Sequence, residues 1–159
     1  MNITFSSVIK LVISIGLPLA AGAIAGIFTA KAVPEWYATL NQPSFNPPNW
    51  IFGPVWTALY ILMGISLFLV WQTPPGQQRN IAMAVFLVQL LLNFGWSFLF
   101  FYFNRIGLAL AEIVVMWCAI LAMIVLFYRI RPVAAWINLP YLLWVTFATI
   151  LNLSYFKLN

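Results

Sequence analysis

The chain contains no histidine, a single cysteine and only two acidic residues among its 159 residues. Histidine is the usual metal ligand, axial haem ligand and general base, so its absence argues against a metalloenzyme and against a hydrolase with a catalytic triad. One cysteine, Cys118, excludes an intramolecular disulfide. Charged residues make up only 6% of the chain, and a soluble domain could not cover its surface with so few of them.

Long apolar stretches dominate instead, with 65% hydrophobic residues and a mean hydropathy of +1.02. A helix needs about 20 apolar residues to cross the hydrocarbon core of a bilayer, and five such stretches lie between clear breaks. We therefore predict an all-α membrane protein, a single five-helix transmembrane bundle with a long ordered loop between helices 1 and 2. The predicted spans are about 8–30, 49–71, 79–103, 106–128 and 133–156.

The ends and flanks of the spans carry little further information. The start, MNITFSSVIK, lacks the features of a cleaved signal peptide, so we expect the first span to stay in the mature protein. The net charge of +5 comes from residues that flank spans, which argues against a nucleic-acid partner. Four basic residues fall on one side of the membrane and three on the other, so the orientation stays open: Lys10, Arg79, Arg129 and Arg131 against Lys31, Arg105 and Lys157.

The segment 31–49 is too long for a simple connection, and it is rich in proline and aromatic residues. Long connections are usually functional or disordered, and prolines with apolar anchors argue against disorder. We interpret the segment as an ordered lid over one end of the bundle; the alternative is a linker lying among the lipid headgroups. Asn49 is predicted to cap the second helix.

Several spans carry polar or aromatic residues at helical spacing. Glu112 is the one acid inside a span, and it is either a functional carboxylate or a polar link between helices. Buried amides need partners, which could be other helices or a ligand. The stripes are Gly53, Trp56 and Tyr60 in the second span, Gln89, Asn93 and Trp96 in the third, and Tyr141, Trp144, Ala148 and Asn152 after a kink predicted at Pro140.

Tryptophan and glycine supply two further predictions. Of the eight tryptophans, four lie deep in spans where the aromatic belt at the membrane interface does not explain them: Trp56, Trp96, Trp117 and Trp144. Trp117 is about 140° around its helix from Glu112, which leaves three. We take these three as the pocket candidates. Gly22 and Gly26 form a small-xxx-small pair, which serves either a homodimer or the packing of the bundle itself.

The motifs together resemble the translocator protein family, also called tryptophan-rich sensory proteins, TspO/MBR proteins or peripheral-type benzodiazepine receptors. The resemblance covers nearly the whole chain in order: PEWY at 34–37, PSFNPPNWIFGPVWTALY at 43–60, QLLLNFGW at 89–96, ALAE at 109–112 and PYLLWVTFATILN at 140–152. It implies a five-helix bundle, commonly dimeric, with a pocket under the first loop that binds porphyrins, sterols and drug-like ligands.

The resemblance also implies site residues. It assigns Trp50, Trp56, Asn93, Trp96, Glu112, Trp144 and Ala148 to the ligand pocket, and our full predicted set adds Trp36, Phe45, Gly53 and Tyr141. The family often has tryptophan at Phe45 and aspartate at Glu112. Leu153, Tyr155 and Lys157 match a weak sterol-recognition pattern.

The function expected from this resemblance is binding of a tetrapyrrole by a receptor-like membrane protein, most simply protoporphyrin IX without a metal, because histidine is lacking. No covalently bound cofactor is expected. One alternative is light-driven oxidative porphyrin degradation, with Trp56 and Trp144 as redox-active indoles. Another is proton-coupled transport of small amphipathic molecules through Glu112. The short C-terminal tail favours a bacterial membrane.

Overall fold

The computed structural model describes residues 5–159 of the chain, which contain no strand and form an antiparallel bundle of helices. Five helical segments in this part are long and apolar enough to cross a membrane. Retention of the N-terminal segment partly concerns residues 1–4, which lie outside the described part. The α-helices are α1 (Phe5–Glu35), α2 (Asn49–Trp71), α3 (Gln77–Ser97), α4 (Ile106–Ile130), α5 (Pro132–Trp136) and α6 (Leu139–Leu158).

Helix α1 continues past the predicted end of the first span and includes Pro34. A proline removes one backbone hydrogen bond, and the helix is resumed beyond it by the bond from the Trp36 N–H to the Ala32 carbonyl at 3.0 Å. The connecting loop is therefore 36–48, shorter than the predicted segment, and it begins with a 3₁₀ turn at Tyr37–Thr39. Asn49 does not cap α2; the N-cap is Pro48, and no side-chain cap bond is found in the described chain.

The third span ends in a π-helical turn, Phe98–Tyr102. Its wider winding is closed by the bond from the Phe103 N–H to the Phe98 carbonyl at 2.8 Å. Asn104 then adopts a φ of 55°, a left-handed conformation that asparagine tolerates better than most residues and that ends the helix. This turn directs Phe100 into the bundle, where it is buried.

The last span is two helices rather than one helix kinked at Pro140. The break falls between α5 and α6, and Pro140 occupies the first turn of α6, where its missing N–H leaves no bond unmade. Asn138 holds the break: its amide donates to the Ala134 carbonyl at 2.8 Å and to the Ser66 hydroxyl of α2. Ser66 in turn donates to the same carbonyl at 2.7 Å, so a contact with another helix determines where the span divides.

Helix α1 lies at the edge of the bundle and crosses α2 closely at one point. A Cβ added to Gly64 would lie 2.5 Å from the Ile15 Cα and 2.8 Å from the Ser14 carbonyl oxygen. Only glycine allows this approach of the two backbones. In its most apolar stretch only 17% of the residues of α1 are buried, against 39% for α2, so much of the surface of α1 is not covered by the other helices.

Candidate functional site

A cavity of about 690 Å³ lies inside the bundle between α1, α2, α3 with its π turn, and α6. This volume falls in the range of pockets that bury a whole small ligand. The loop 36–48 covers one end, where Tyr37 contributes to the wall. None of the described residues of α4 lines the cavity, so α4 supports the other helices from behind.

Three indole side chains face the cavity, one from each of α2, α3 and α6. Trp56 stacks on Tyr60 with ring centroids 5.6 Å apart, and Trp96 stacks on Phe100 at 5.2 Å. Trp144 meets Phe52 edge to face at 6.0 Å. Because each indole already packs against another ring, the aromatic walls need little reordering when a ligand binds.

Behind the indoles runs a chain of buried hydrogen bonds that joins α2, α3 and α6. The Tyr60 hydroxyl donates to Asn93 Oδ1 at 2.8 Å, and Asn93 Nδ2 donates to the Tyr141 hydroxyl at 3.2 Å. Tyr141 then donates to Gln89 Oε1 at 2.8 Å. The amide stripe predicted in the third span therefore finds its partners mainly within the protein, which stabilises the bundle.

A second set of bonds fixes the indole of α3. Trp96 Nε1 donates to Asn152 Oδ1 at 3.1 Å, and Asn152 Nδ2 donates to the Ile106 carbonyl at 3.1 Å. Trp144 differs, because its Nε1 is buried and has no partner among residues 5–159. Among the described cavity-lining residues, this is the one buried side-chain polar atom left unpaired. Protein atoms cover this N–H, so a ligand acceptor would satisfy it only after the indole turned toward the cavity.

The loop is fastened to the end of α6 by hydrogen bonds. The Tyr155 hydroxyl donates to the Tyr37 hydroxyl at 2.7 Å, and Tyr37 donates to Asn46 Oδ1 at 3.0 Å. Asn41 and Asn159 bond reciprocally: the Asn41 N–H donates to Asn159 Oδ1 at 2.9 Å, and Asn159 Nδ2 donates to the Asn41 carbonyl at 3.2 Å. The loop is thus a fixed roof over the cavity.

The structure divides the predicted ligand-binding set into two groups. Of the five residues away from the cavity, Trp50 and Phe45 are 74% and 46% exposed. Trp36 packs edge to face on Phe100, and Tyr141 is buried and bonded to Asn93. Glu112 lies on α4, and its carboxyl oxygens are buried with no hydrogen-bond partner in residues 5–159. The six that line the cavity are Gly53, Trp56, Asn93, Trp96, Trp144 and Ala148.

The cavity wall formed by α1 was not predicted from the sequence. Residues of α1 between Leu19 and Val33 line the cavity at helical spacing. The available signal was the pair Gly22 and Gly26, which we interpreted as a packing motif. Gly22 does pack, because an added Cβ would overlap the Tyr60 ring. Gly26 lines the cavity, and no other described atom lies within 4 Å of where its Cβ would be.

The sterol-recognition pattern does not form one surface. Tyr155 is only 1% exposed and bonds to Tyr37, whereas Leu153 is 38% exposed on the outside of α6. Tyr155 lines the cavity from within. A ligand at the outer face of the helix would therefore not reach the tyrosine ring.

The TspO/MBR family matches residues 14–158 of the chain. The chain belongs to the TspO/MBR family. It is similar to the tryptophan-rich protein TspO of Archaeoglobus fulgidus, with 41% identity over 153 residues that cover 96% of this chain and 99% of that protein. The tryptophan-rich protein TspO of Chlorobaculum tepidum is 40% identical, over 96% of this chain and 97% of its own.

The translocator protein of Homo sapiens is 37% identical to this TspO/MBR protein over 127 residues, which cover 79% of this chain and 75% of the human protein. The family membership, together with five helical segments in the described residues that are long and apolar enough to cross a membrane, identifies the chain as an integral multi-pass membrane protein. The cavity described above is thus the candidate site of a TspO/MBR protein.

Proposed function

We propose that this TspO/MBR protein binds a flat, largely apolar ligand of the tetrapyrrole class in the cavity, with metal-free protoporphyrin IX as the first candidate. The observation that carries the proposal is the meeting of Trp56, Trp96 and Trp144 at one cavity. Indole faces contact an extended aromatic ring over a large area. The Trp144 Nε1 is covered by protein and unpaired, and it would gain a partner if the indole turned toward a ligand acceptor, such as a propionate oxygen.

Sterols and drug-like ligands are alternative occupants of the same walls, since the cavity is mainly apolar. A bacterial membrane is the proposed location, supported by similarity to the tryptophan-rich sensory protein of Cereibacter sphaeroides, 35% identical over 159 residues. We also propose a homodimer as the assembled form, as the resemblance implies.

The test is a titration of the purified protein in detergent with protoporphyrin IX in the dark, followed by the absorbance of the porphyrin. We expect saturable binding that Trp144→Phe weakens roughly threefold to tenfold, the range that corresponds to one lost hydrogen bond. Trp136→Phe is the matched control, because Trp136 is 60% exposed and packs on Tyr128 away from the cavity. Absence of saturable binding, beyond the uptake by empty micelles, would reject the tetrapyrrole proposal.

Light-dependent porphyrin breakdown is the second candidate, because both indoles named for it, Trp56 and Trp144, line the cavity. Illumination of the loaded protein in the presence of dioxygen, the oxidant, would then give a new absorbance spectrum that Trp56→Phe reduces while dark binding persists. If the absorbance spectrum did not change under light, the breakdown proposal would be rejected and only the binding proposal would remain. Proton-coupled transport stays a prediction without a geometric argument, because Glu112 does not line the cavity.

A further inference from the structure

The cavity opens through one wall, between α1 and α2. A residue that lines a cavity and is also exposed on the outside marks an opening. Among the described lining residues, the exposed ones come only from these two helices. They recur every three or four residues, and so form one stripe on each helix. We define the α1–α2 window as these six: Ala23, Gly26 and Ala30 on α1, and Asn49, Gly53 and Thr57 on α2.

The other side of α1 is closed by aromatic contacts with the π turn. Phe28 packs against Phe98 with ring centroids 4.8 Å apart and against Tyr102 at 5.8 Å. At the far end from the loop, Tyr60 fills the space against Gly22. At the loop end, the bonds of Tyr37 to Tyr155 and of Asn41 to Asn159 hold the roof in place.

Small residues dominate the window, since four of its six members are glycine or alanine. Neither Gly26 nor Gly53 has another described atom within 4 Å of the position that an added Cβ would take, so the other helix does not fill the space beside either glycine. Ile24 and Ile27, beside the window on α1, are 48% and 60% exposed. In a membrane protein such apolar exposure faces acyl chains. Gly26 lies nine residues before the end of α1 at Glu35, or about 13 Å along the helix axis.

We propose that the ligand enters and leaves the cavity sideways from the bilayer, through the α1–α2 window, and that the loop does not open for it. The site accordingly selects molecules that first partition into lipid: flat and apolar, with a polar edge that stays near the interface. This inference rests on the proposed binding function, and it names the phase from which the ligand comes.

The kinetic test places a larger side chain in the window of the full-length protein in liposomes, with protoporphyrin IX as the probe. We expect Gly26→Leu and, independently, Thr57→Leu to slow association and dissociation alike, each on the order of tenfold, a barrier of roughly 1.4 kcal/mol. Both positions also line the cavity, so the deciding readout is slower dissociation: an obstacle at a portal slows exit as well as entry, whereas lost wall contact alone would speed exit. Gly16→Leu is the matched control, since Gly16 is exposed on α1, has open space around it and does not line the cavity.

Two results would overturn the proposal. Unchanged rates in both window variants would show that the ligand takes another route. Weaker affinity through faster dissociation alone would show that these residues hold the bound ligand and do not form its entrance. Asn41→Ala, which removes side-chain bonding to Leu158 in the roof, is expected to leave the rates unchanged. Faster binding in that variant would instead indicate access beneath the loop.

A second readout does not depend on porphyrin, and it separates failure of the window from failure of the proposed ligand. Cys118 is exposed, so it is first replaced by alanine, and a nitroxide is attached at Gly26→Cys. Collision with dissolved oxygen, and not with a water-soluble nickel chelate, would show that the window faces acyl chains. Collision with the chelate, or protection from both reagents by a second copy of the chain, would refute it even if porphyrin binds.

Discussion

The close crossing of α1 and α2 predicts a strong effect from a single methyl group at Gly64. In Gly64→Ala the new Cβ would lie 2.5 Å from the Ile15 Cα and 2.8 Å from the Ser14 carbonyl oxygen. Both neighbours are backbone atoms, so no side-chain rotation relieves the overlap and α1 must shift as a whole. Overpacking of this kind costs about 1–3 kcal/mol. The cost is lowered by up to about 1 kcal/mol, because alanine favours the helix over glycine.

Taking about 1 kcal/mol from the middle of that range leaves a net loss of about 1 kcal/mol in the free energy of unfolding of Gly64→Ala. Thermal unfolding of the purified protein in detergent would measure it as a lower melting temperature. Gly16→Ala is the control on α1, because no described atom lies within 4 Å of its added Cβ, and we expect it to be neutral or slightly stabilising. If the two variants melted at the same temperature, the argument that backbone contact at Gly64 sets the position of α1 would be wrong.

Two further variants test the roof and the loop. Tyr155→Phe removes the donor to Tyr37 and should lower the free energy of unfolding by about 1 kcal/mol. Because the loop is then less firmly anchored, limited proteolysis should cut within 36–48 faster than in the control Tyr128→Phe, whose ring is exposed. Equal cutting rates would contradict the role assigned to this bond. Trp50→Phe should leave the affinity for porphyrin within about twofold of the original, because Trp50 is 74% exposed and outside the cavity wall. A tenfold loss of affinity in the titration would show that the loop end rearranges around the ligand.

Composition and helical periodicity were enough to predict the five spans and some of the residues that line the cavity. Apolar length alone identifies membrane helices, and a period of 3.6 residues places Asn93 and Trp96 on one stripe of α3. Both line the cavity. The rotation of α4 about its own axis is different, because it depends on how that helix packs on its neighbours. Glu112 was therefore predicted as a pocket residue, although the cavity wall excludes it.

The irregular parts of the backbone were not predicted, and each has a non-local or hidden cause. The π turn at Phe98–Tyr102 contains only aromatic and aliphatic residues, so no helix-breaking residue announces it. The division between α5 and α6 depends on the bond from Asn138 to Ser66, a residue 72 positions away in the chain. Pro34 was expected in the loop, yet it lies inside α1. Prolines are often accommodated in membrane helices in this way.

The saturation of the buried amides by the protein itself has a consequence for discrimination between ligands. Asn93 and Asn152 each use both their oxygen and their nitrogen on protein groups. A site that must hydrogen-bond its ligand rejects an analogue lacking one group by about 10⁴-fold or more, whereas apolar contact distinguishes close analogues by only about 10-fold to 200-fold. With Trp144 Nε1 as its one unpaired buried donor in the described wall, the cavity should tolerate a series of ring systems that differ in their peripheral substituents, ranking them by shape and thickness.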